Sequence, residues 1–191
     1  MSMSAYETAP FRAVLAIASQ RRDVDVDRCR VVIELLAAGG SIHSTFRHEL
    51  AALELSDLDF AALVTLYSVL PERVTLAHLA AQTGAARPSM TEASDRLEAR
   101  GLVHRERDTA DRRVVFIILT EPGRIRVEVA MERVLRKADR IGRMLRPPVR
   151  QAFVDECGRL EAAARRERPL APRDGNDVLA RKPSSASDAT N

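Results

Sequence analysis

The residues best placed to do chemistry lie in RDTADRRVVFIILTEPG, residues 107–123, where Arg112 and Arg113 meet a run of apolar β-formers and Asp108 and Asp111 stand just before them. A guanidinium is planar, permanently charged and forms bidentate hydrogen bonds with oxyanions. Such a turn can serve solubility alone, or it can grip a polyanion. The other reactive side chains offer less. Cys29 and Cys157 are too few and too far apart for a disulfide framework or a metal site. His43 and His48 are five apart, the wrong spacing for a metal pair on one helix face, and His78 and His104 are isolated. No nucleophile–base arrangement, phosphate loop or metal constellation is evident, so the sequence points away from an enzyme and from any cofactor.

Composition sets the frame. The 191 residues are enough for one domain with a core or two small ones. Aromatics make up 4% and Trp is absent, so the core must be built from Leu, Val, Ile and Ala, which suits helices. The formal charge of +3 permits a polyanionic partner without demanding one. Of the 30 basic residues only Lys137 and Lys182 are lysines, a bias that a GC-rich genome explains as well as nucleic-acid binding does. No run reaches the ~18–20 apolar residues of a membrane span, and the expectation is a cytoplasmic protein without a membrane partner.

The elements that must position the charged turn follow in order. Residues 1–23 read as an N-terminal extension. From 24 to 55 the apolar residues Val32, Ile33, Leu36, Ile42, Phe46, Leu50 and Leu53 recur as on a helix, with a bend or break expected at Gly39–Gly40. SDLDFAALVTLYSVL starts at Ser56 as N-cap, and TLAHLAAQTG is a short helix from Thr75 to Gly84. RPSMTEASDRLEARG is the next helix, with Pro88 in its first turn and Gly101 at its end; Met90, Ala93 and Leu97 form its inward stripe. LVHRER and RRVVFIILT read as strands joined across DTAD. Thr120 caps a helix over about 121–146, Pro147 and Pro148 break it, and a last helix covers about 149–166. The Pro-, Ser- and Asp-rich residues 167–191 are expected to be a disordered tail.

Helix, short helix, helix and hairpin over 56–120 make a winged helix-turn-helix, in a mainly α fold with a small β-hairpin wing. The motifs DRLEARGLV at 95–103, DRR at 111–113 and LTEPG at 119–123 closely resemble the DNA-binding core of the multiple-antibiotic-resistance regulator (MarR) family. The resemblance spans about 45 residues without gaps. It implies a dimeric transcriptional regulator, usually a repressor, that binds a pseudo-palindromic operator in double-stranded DNA. It implies that Arg113 enters the minor groove, that Asp111 steadies it and that Arg112 lies near phosphate. A narrow groove concentrates negative potential, which a weakly hydrated guanidinium suits. By position Arg87, Pro88, Ser89 and Thr91 face the DNA.

Two departures from the family pattern stand out. Ala86 occupies the place of a capping residue, leaving the helix start weaker or capped by Thr83 or a water. Glu92 stands where relatives often carry Arg or Lys; it can accept a hydrogen bond from cytosine N4 or pair with Arg96 at i+4.

Val127, Met131, Val134, Ala138, Ile141 and Leu145 follow heptad spacing, and Val149, Phe153, Cys157, Leu160 and Ala164 line one stripe of the last helix. Both stripes can complete a monomer core or form a dimer. The resemblance favours a homodimer, with regions 24–55 and 121–166 interlocking. It also implies a small phenolic or aromatic ligand in a cleft between the dimer helices and the reading head, where Phe46, Arg47 and Tyr67 are candidates. Two alternatives remain: redox sensing through Cys29, which lies between two arginines, and a winged-helix interaction module without DNA binding.

Overall fold

The computed structural model describes residues 13–18, 20–21, 23–109 and 114–167. The chain divides into two compact units after Gly142.

In the first unit, α1 (Val26–Ala51) starts at Asp25, whose carboxylate accepts the N–H groups of Asp27 and Arg28. The break expected at Gly39–Gly40 is absent: α1 runs straight through both glycines. Glycine weakens a helix by about 1 kcal/mol per residue but does not forbid it. In this stretch the hydroxyls of Ser41 and Thr45 donate back to the carbonyls of Ala37 and Ser41 at 3.1 and 3.0 Å. The chain then turns sharply, with Glu54 in the left-handed region at φ 57°. Two arginines hold this turn. Arg126 donates to the Leu53 carbonyl at 2.8 Å, and Arg100 donates to the carbonyls of Leu53 and Glu54.

Ser56 caps α2 (Asp57–Ser68) in a reciprocal box: its hydroxyl accepts from the Asp59 N–H at 3.1 Å, and the Asp59 carboxylate accepts from the Ser56 N–H at 3.0 Å. Loss of one cap bond at a helix start costs about 1 kcal/mol. Ser56→Ala should therefore lower the stability measured by urea unfolding by about that much, while Ser56→Asp should retain most of it.

A two-residue strand that the sequence did not reveal, β1 (Val74–Thr75), precedes α3 (Leu76–Thr83). Thr75 caps α3, accepting the His78 N–H at 3.2 Å. Gly84 closes α3 at φ 67°, and Gly101 follows α4 (Arg87–Ala99) at the same angle, a conformation with low cost only for glycine. Strands β2 (Val103–Arg107) and β3 (Val115–Leu119) pair antiparallel, Val103 opposite Leu119 and Arg107 opposite Val115. β1 joins the free edge of β3, giving the sheet order β1-β3-β2. Thr120 then starts α5 (Glu121–Gly142), accepting the Gly123 N–H at 3.1 Å while its hydroxyl donates to the Gly101 carbonyl at 2.7 Å.

The core draws on every layer of this head: Leu63 and Leu66 of α2, Leu79 of α3, Met90 and Leu97 of α4, Val103 and Ile117 of the sheet, and Val127 and Ala130 of α5. The heptad stripe of α5 is thus divided. Val127 is fully buried, and Met131 and Val134 pack against the same core, so this half completes the protomer. Ala138 lies exposed beyond it. Helix α5 also ends at Gly142, short of the expected 146.

In the second unit, α6 (Pro147–Glu167) begins at Pro147 itself, since a first-turn proline lacks only an N–H that has no helical partner. None of its residues is buried, and Val149, Phe153 and Val154 are exposed. The expected N-terminal extension and C-terminal tail lie mostly outside the described residues. No described helix is long and apolar enough to cross a membrane.

Candidate nucleic-acid interface

Helix α4 has one buried face and one exposed face. Met90, Ala93, Ser94 and Leu97 are buried, while Arg87, Pro88 and Ser89 are exposed. Thr91 is half-buried, and its hydroxyl donates to the Arg87 carbonyl at 3.0 Å, leaving its oxygen free to accept. Ala86 supplies no side-chain cap. Thr83 does not replace it, because its hydroxyl is turned back to the Leu79 carbonyl at 2.8 Å. The turn between α3 and α4 is held instead by the Ala85 N–H, which donates to the Ala80 carbonyl.

The anticipated pair between Glu92 and Arg96 does not form. Arg96 reaches across to α2, where Nη2 meets the Asp59 carboxylate at 3.0 Å. Asp59 is only 4% exposed, and a buried carboxylate gains more from a cation than an exposed one does. Glu92 is left exposed, with no ion-pair partner among the described residues. The Ser94 hydroxyl oxygen is buried without a hydrogen-bond partner among the described residues.

A second arginine fixes α4 from the other side. Arg105, at the centre of β2, places Nη2 at 2.5 Å from Asp95 Oδ1 and Nε at 3.4 Å from Glu98 Oε2. Its own N–H donates to Glu98 Oε1 at 3.0 Å. The Nε contact is ionic in distance only, since that N–H lacks hydrogen-bond geometry. The sequence held a clue to this contact: strand alternation puts Arg105 on the same face as the buried Val103, and a charge on an inward face needs a partner. At the outer end of the sheet Arg73 pairs with Glu106 at 2.8 Å and lies over the Phe116 ring at 4.6 Å.

Of the wing itself, β2 and β3 are described up to the Asp108 N–H, which donates to the Val114 carbonyl at 3.0 Å. Asp111, Arg112 and Arg113 lie outside the described residues.

Of the three ligand candidates, two lie on α1 and one on α2. Phe46 is half-buried on α1. Arg47, also on α1, is exposed and sits 3.6 Å from Asp57, which His43 also approaches at 3.1 Å. Tyr67 donates its hydroxyl to Glu128 at 3.1 Å, and that carboxylate raises its pKa. Glu128 in turn pairs with Arg124, which also holds Glu121 and lowers its pKa. A cavity of about 520 Å³ opens elsewhere, between α2, α3 and α5, lined by Phe60, Val64, Thr65, Gln82, Met131 and Val134 among others. Its wall is apolar, with two hydroxyls and an amide but no charged group. Cys29 and Cys157 are free thiols, each half-buried. Among the described residues, no group of three or more His, Cys, Asp or Glu side chains is placed to hold a metal.

Residues 55–115 match the model of the MarR family. Among solved structures, a MarR-family transcriptional regulator from Rhodococcus sp. RHA1 is 26% identical, with a TM-score of 0.58 over 67% of this chain and 89% of that one. CouR from Rhodococcus jostii RHA1, bound to p-coumaroyl-CoA, is 28% identical, with a TM-score of 0.57 over 66% of this chain and 88% of its own. The transcriptional repressor CouR bound to a 23-mer DNA duplex gives a TM-score of 0.60 at 28% identity, over 68% and 90%. No curated protein sequence matches the chain.

Proposed function

We propose, from the premise that this chain carries the MarR-family domain of a transcriptional regulator at residues 55–115, that it is a dimeric repressor released from its operator by a small molecule. The observation that carries the DNA-binding reading is α4. It is held by salt bridges to α2 and to β2, and it turns Arg87, Pro88 and Ser89 outward beside the two strands that flank Arg112 and Arg113 in the sequence. In this arrangement α4 enters the major groove and supplies base contacts from Arg87, Ser89 and Thr91. Asp111 orients Arg113 toward the minor groove, and Arg112 lies along phosphate. The likeness to CouR, which is described in complex with a DNA duplex, supports this reading.

The dimer reading is supported by what the protomer leaves uncovered. On α1, Val31, Val32 and Leu36 are 59%, 53% and 48% exposed. On α6, Val149, Phe153 and Val154 are exposed as well. Apolar faces of this kind are ordinarily buried by association, and a two-fold pair of heads reads a pseudo-palindrome.

The effector reading rests on the cavity between α2, α3 and α5. Its volume falls within the range of small-molecule sites, and its uncharged wall suits a neutral aromatic or phenolic group. CouR, described with p-coumaroyl-CoA, supports the phenolic part of that class, since the acyl group of that molecule is a phenol while its CoA part is charged. Phe46, Arg47 and Tyr67 do not line this cavity; a role for them requires the ligand to extend beyond it.

The test is fluorescence anisotropy with duplexes tiling the region beside the protein's own gene, at two salt concentrations, with and without a panel of phenolic compounds. Tight, salt-sensitive binding to one duplex and its release by a phenol are expected. Val64→Trp, which fills the cavity, should abolish release while leaving DNA affinity within about twofold. Uniformly weak binding to every duplex would refute the operator reading.

A further inference from the structure

We propose that Arg105 is a positioning residue of the DNA interface: it holds α4 through Asp95 and Glu98 and cancels their charge without itself touching DNA. The inference rests on the DNA-binding reading above and adds a residue which that reading does not use.

Three observations carry it. First, among the described residues Arg105 is the one side chain that forms an ion pair with either carboxylate, at 2.5 Å to Asp95 and 3.4 Å to Glu98. Second, it is itself recessed. Its side chain is 28% exposed, less than Asp95 at 57% or Glu98 at 40%, so the carboxylates stand farther out than the cation that neutralises them. Third, Arg105 bridges two elements that must act together. Its backbone N–H, on β2, binds Glu98 at 3.0 Å, and its guanidinium reaches the Thr91 carbonyl at 3.4 Å, one turn from the start of α4.

The charge balance gives the contact its consequence. The solvent side of α4 carries Glu92, Asp95 and Glu98 against Arg87 and Arg96, and Arg96 is committed to Asp59. Without Arg105, three carboxylates would face a polyanion within a Debye length, about 10 Å at 0.1 M salt, with Arg87 alone to offset them. The helix would also lose its tie to the strand that leads into the wing.

The test is a cycle of operator affinities for wild type, Arg105→Gln, Asp95→Asn/Glu98→Gln and the triple variant. Amide hydrogen exchange in α4 is measured on each full-length protein without DNA. The expected result is that Arg105→Gln weakens binding by about tenfold or more, as unpaired like charge at an interface does. In the background where both carboxylates are already neutral, the same change should cost less than about twofold. Exchange over residues 91–100 should quicken in Arg105→Gln.

A loss that persists in the neutralised background would mean that Arg105 contacts phosphate itself, and would overturn the proposal. Unchanged affinity in Arg105→Gln would overturn it too. If wild type binds no duplex, the DNA reading fails by itself. The exchange measurement still decides the clamp, because an unaltered α4 in Arg105→Gln removes the positioning role.

Discussion

Arg113→Ala is expected to raise the operator Kd by two to three orders of magnitude while leaving the melting temperature unchanged. A guanidinium seated in a groove contributes about 2 kcal/mol, and the proposed dimer would present two, so about 4 kcal/mol would be lost. The slope of log K against log salt should fall by about 2, one for each wing. The expectation comes from sequence position: Arg113 falls between two strands whose pairing runs to Arg107 and Val115, and it precedes the apolar stretch that places Ile117 in the core. Arg112→Ala, as loss of a phosphate contact, should weaken binding to all duplexes alike. Anisotropy on the cognate and a scrambled duplex separates the two. Equal affinity of Arg113→Ala and wild type for the cognate duplex would sink the assignment.

The largest effect on stability is expected from Gly123→Ala. A Cβ at this position would stand 2.0 Å from the Leu102 carbonyl oxygen and 2.9 Å from both its carbon and a methyl of Leu119. The obstacle is backbone, so no rotamer change relieves it. That carbonyl is also held in place, since it accepts the Thr120 N–H at 3.1 Å. To admit the methyl, the first turn of α5 must move away from the start of β2 and break the Thr120 cap. Overpacking costs about 1–3 kcal/mol, and a backbone obstacle puts this case toward the upper end, which should appear as a lower urea midpoint with an unchanged m-value. A change under about 1 kcal/mol would contradict the close packing of these segments. The glycine of the LTEPG motif is therefore required by contact, not by backbone angle.

What could be read in the sequence was what is local. Ser56, Thr75 and Thr120 act as caps because each satisfies N–H groups within three residues of itself, and Gly84 and Gly101 end helices by their own backbone angles. The inward stripe of α4 is equally local, a matter of helical spacing. The features that escaped depend on partners distant in sequence. Arg96 chose Asp59, 37 residues away, over Glu92 in the next turn, because the buried carboxylate was the greater need. Strand β1 exists only because β3 offers an edge to it. The seam of α5 could not be divided from spacing alone, since Val127 and Val134 obey the same heptad as Ala138 and only the packing of the head separates them. The cavity joins residues from three helices, which no single stretch could suggest.

The unbroken course of α1 through Gly39 and Gly40 has a mechanical meaning. At 1.5 Å per residue, its 26 residues form a rod about 39 Å long. The end of that rod leads into the turn at Leu53 and Glu54, where Arg100 from the end of α4 and Arg126 from α5 grip the same carbonyl. A rotation of about 5° about that joint moves the far end by about 3 Å for a rod of this length. Displacement at the N-terminal end is thereby geared down into a small angular change beside α4, and a helix broken at the glycines would have absorbed the motion instead.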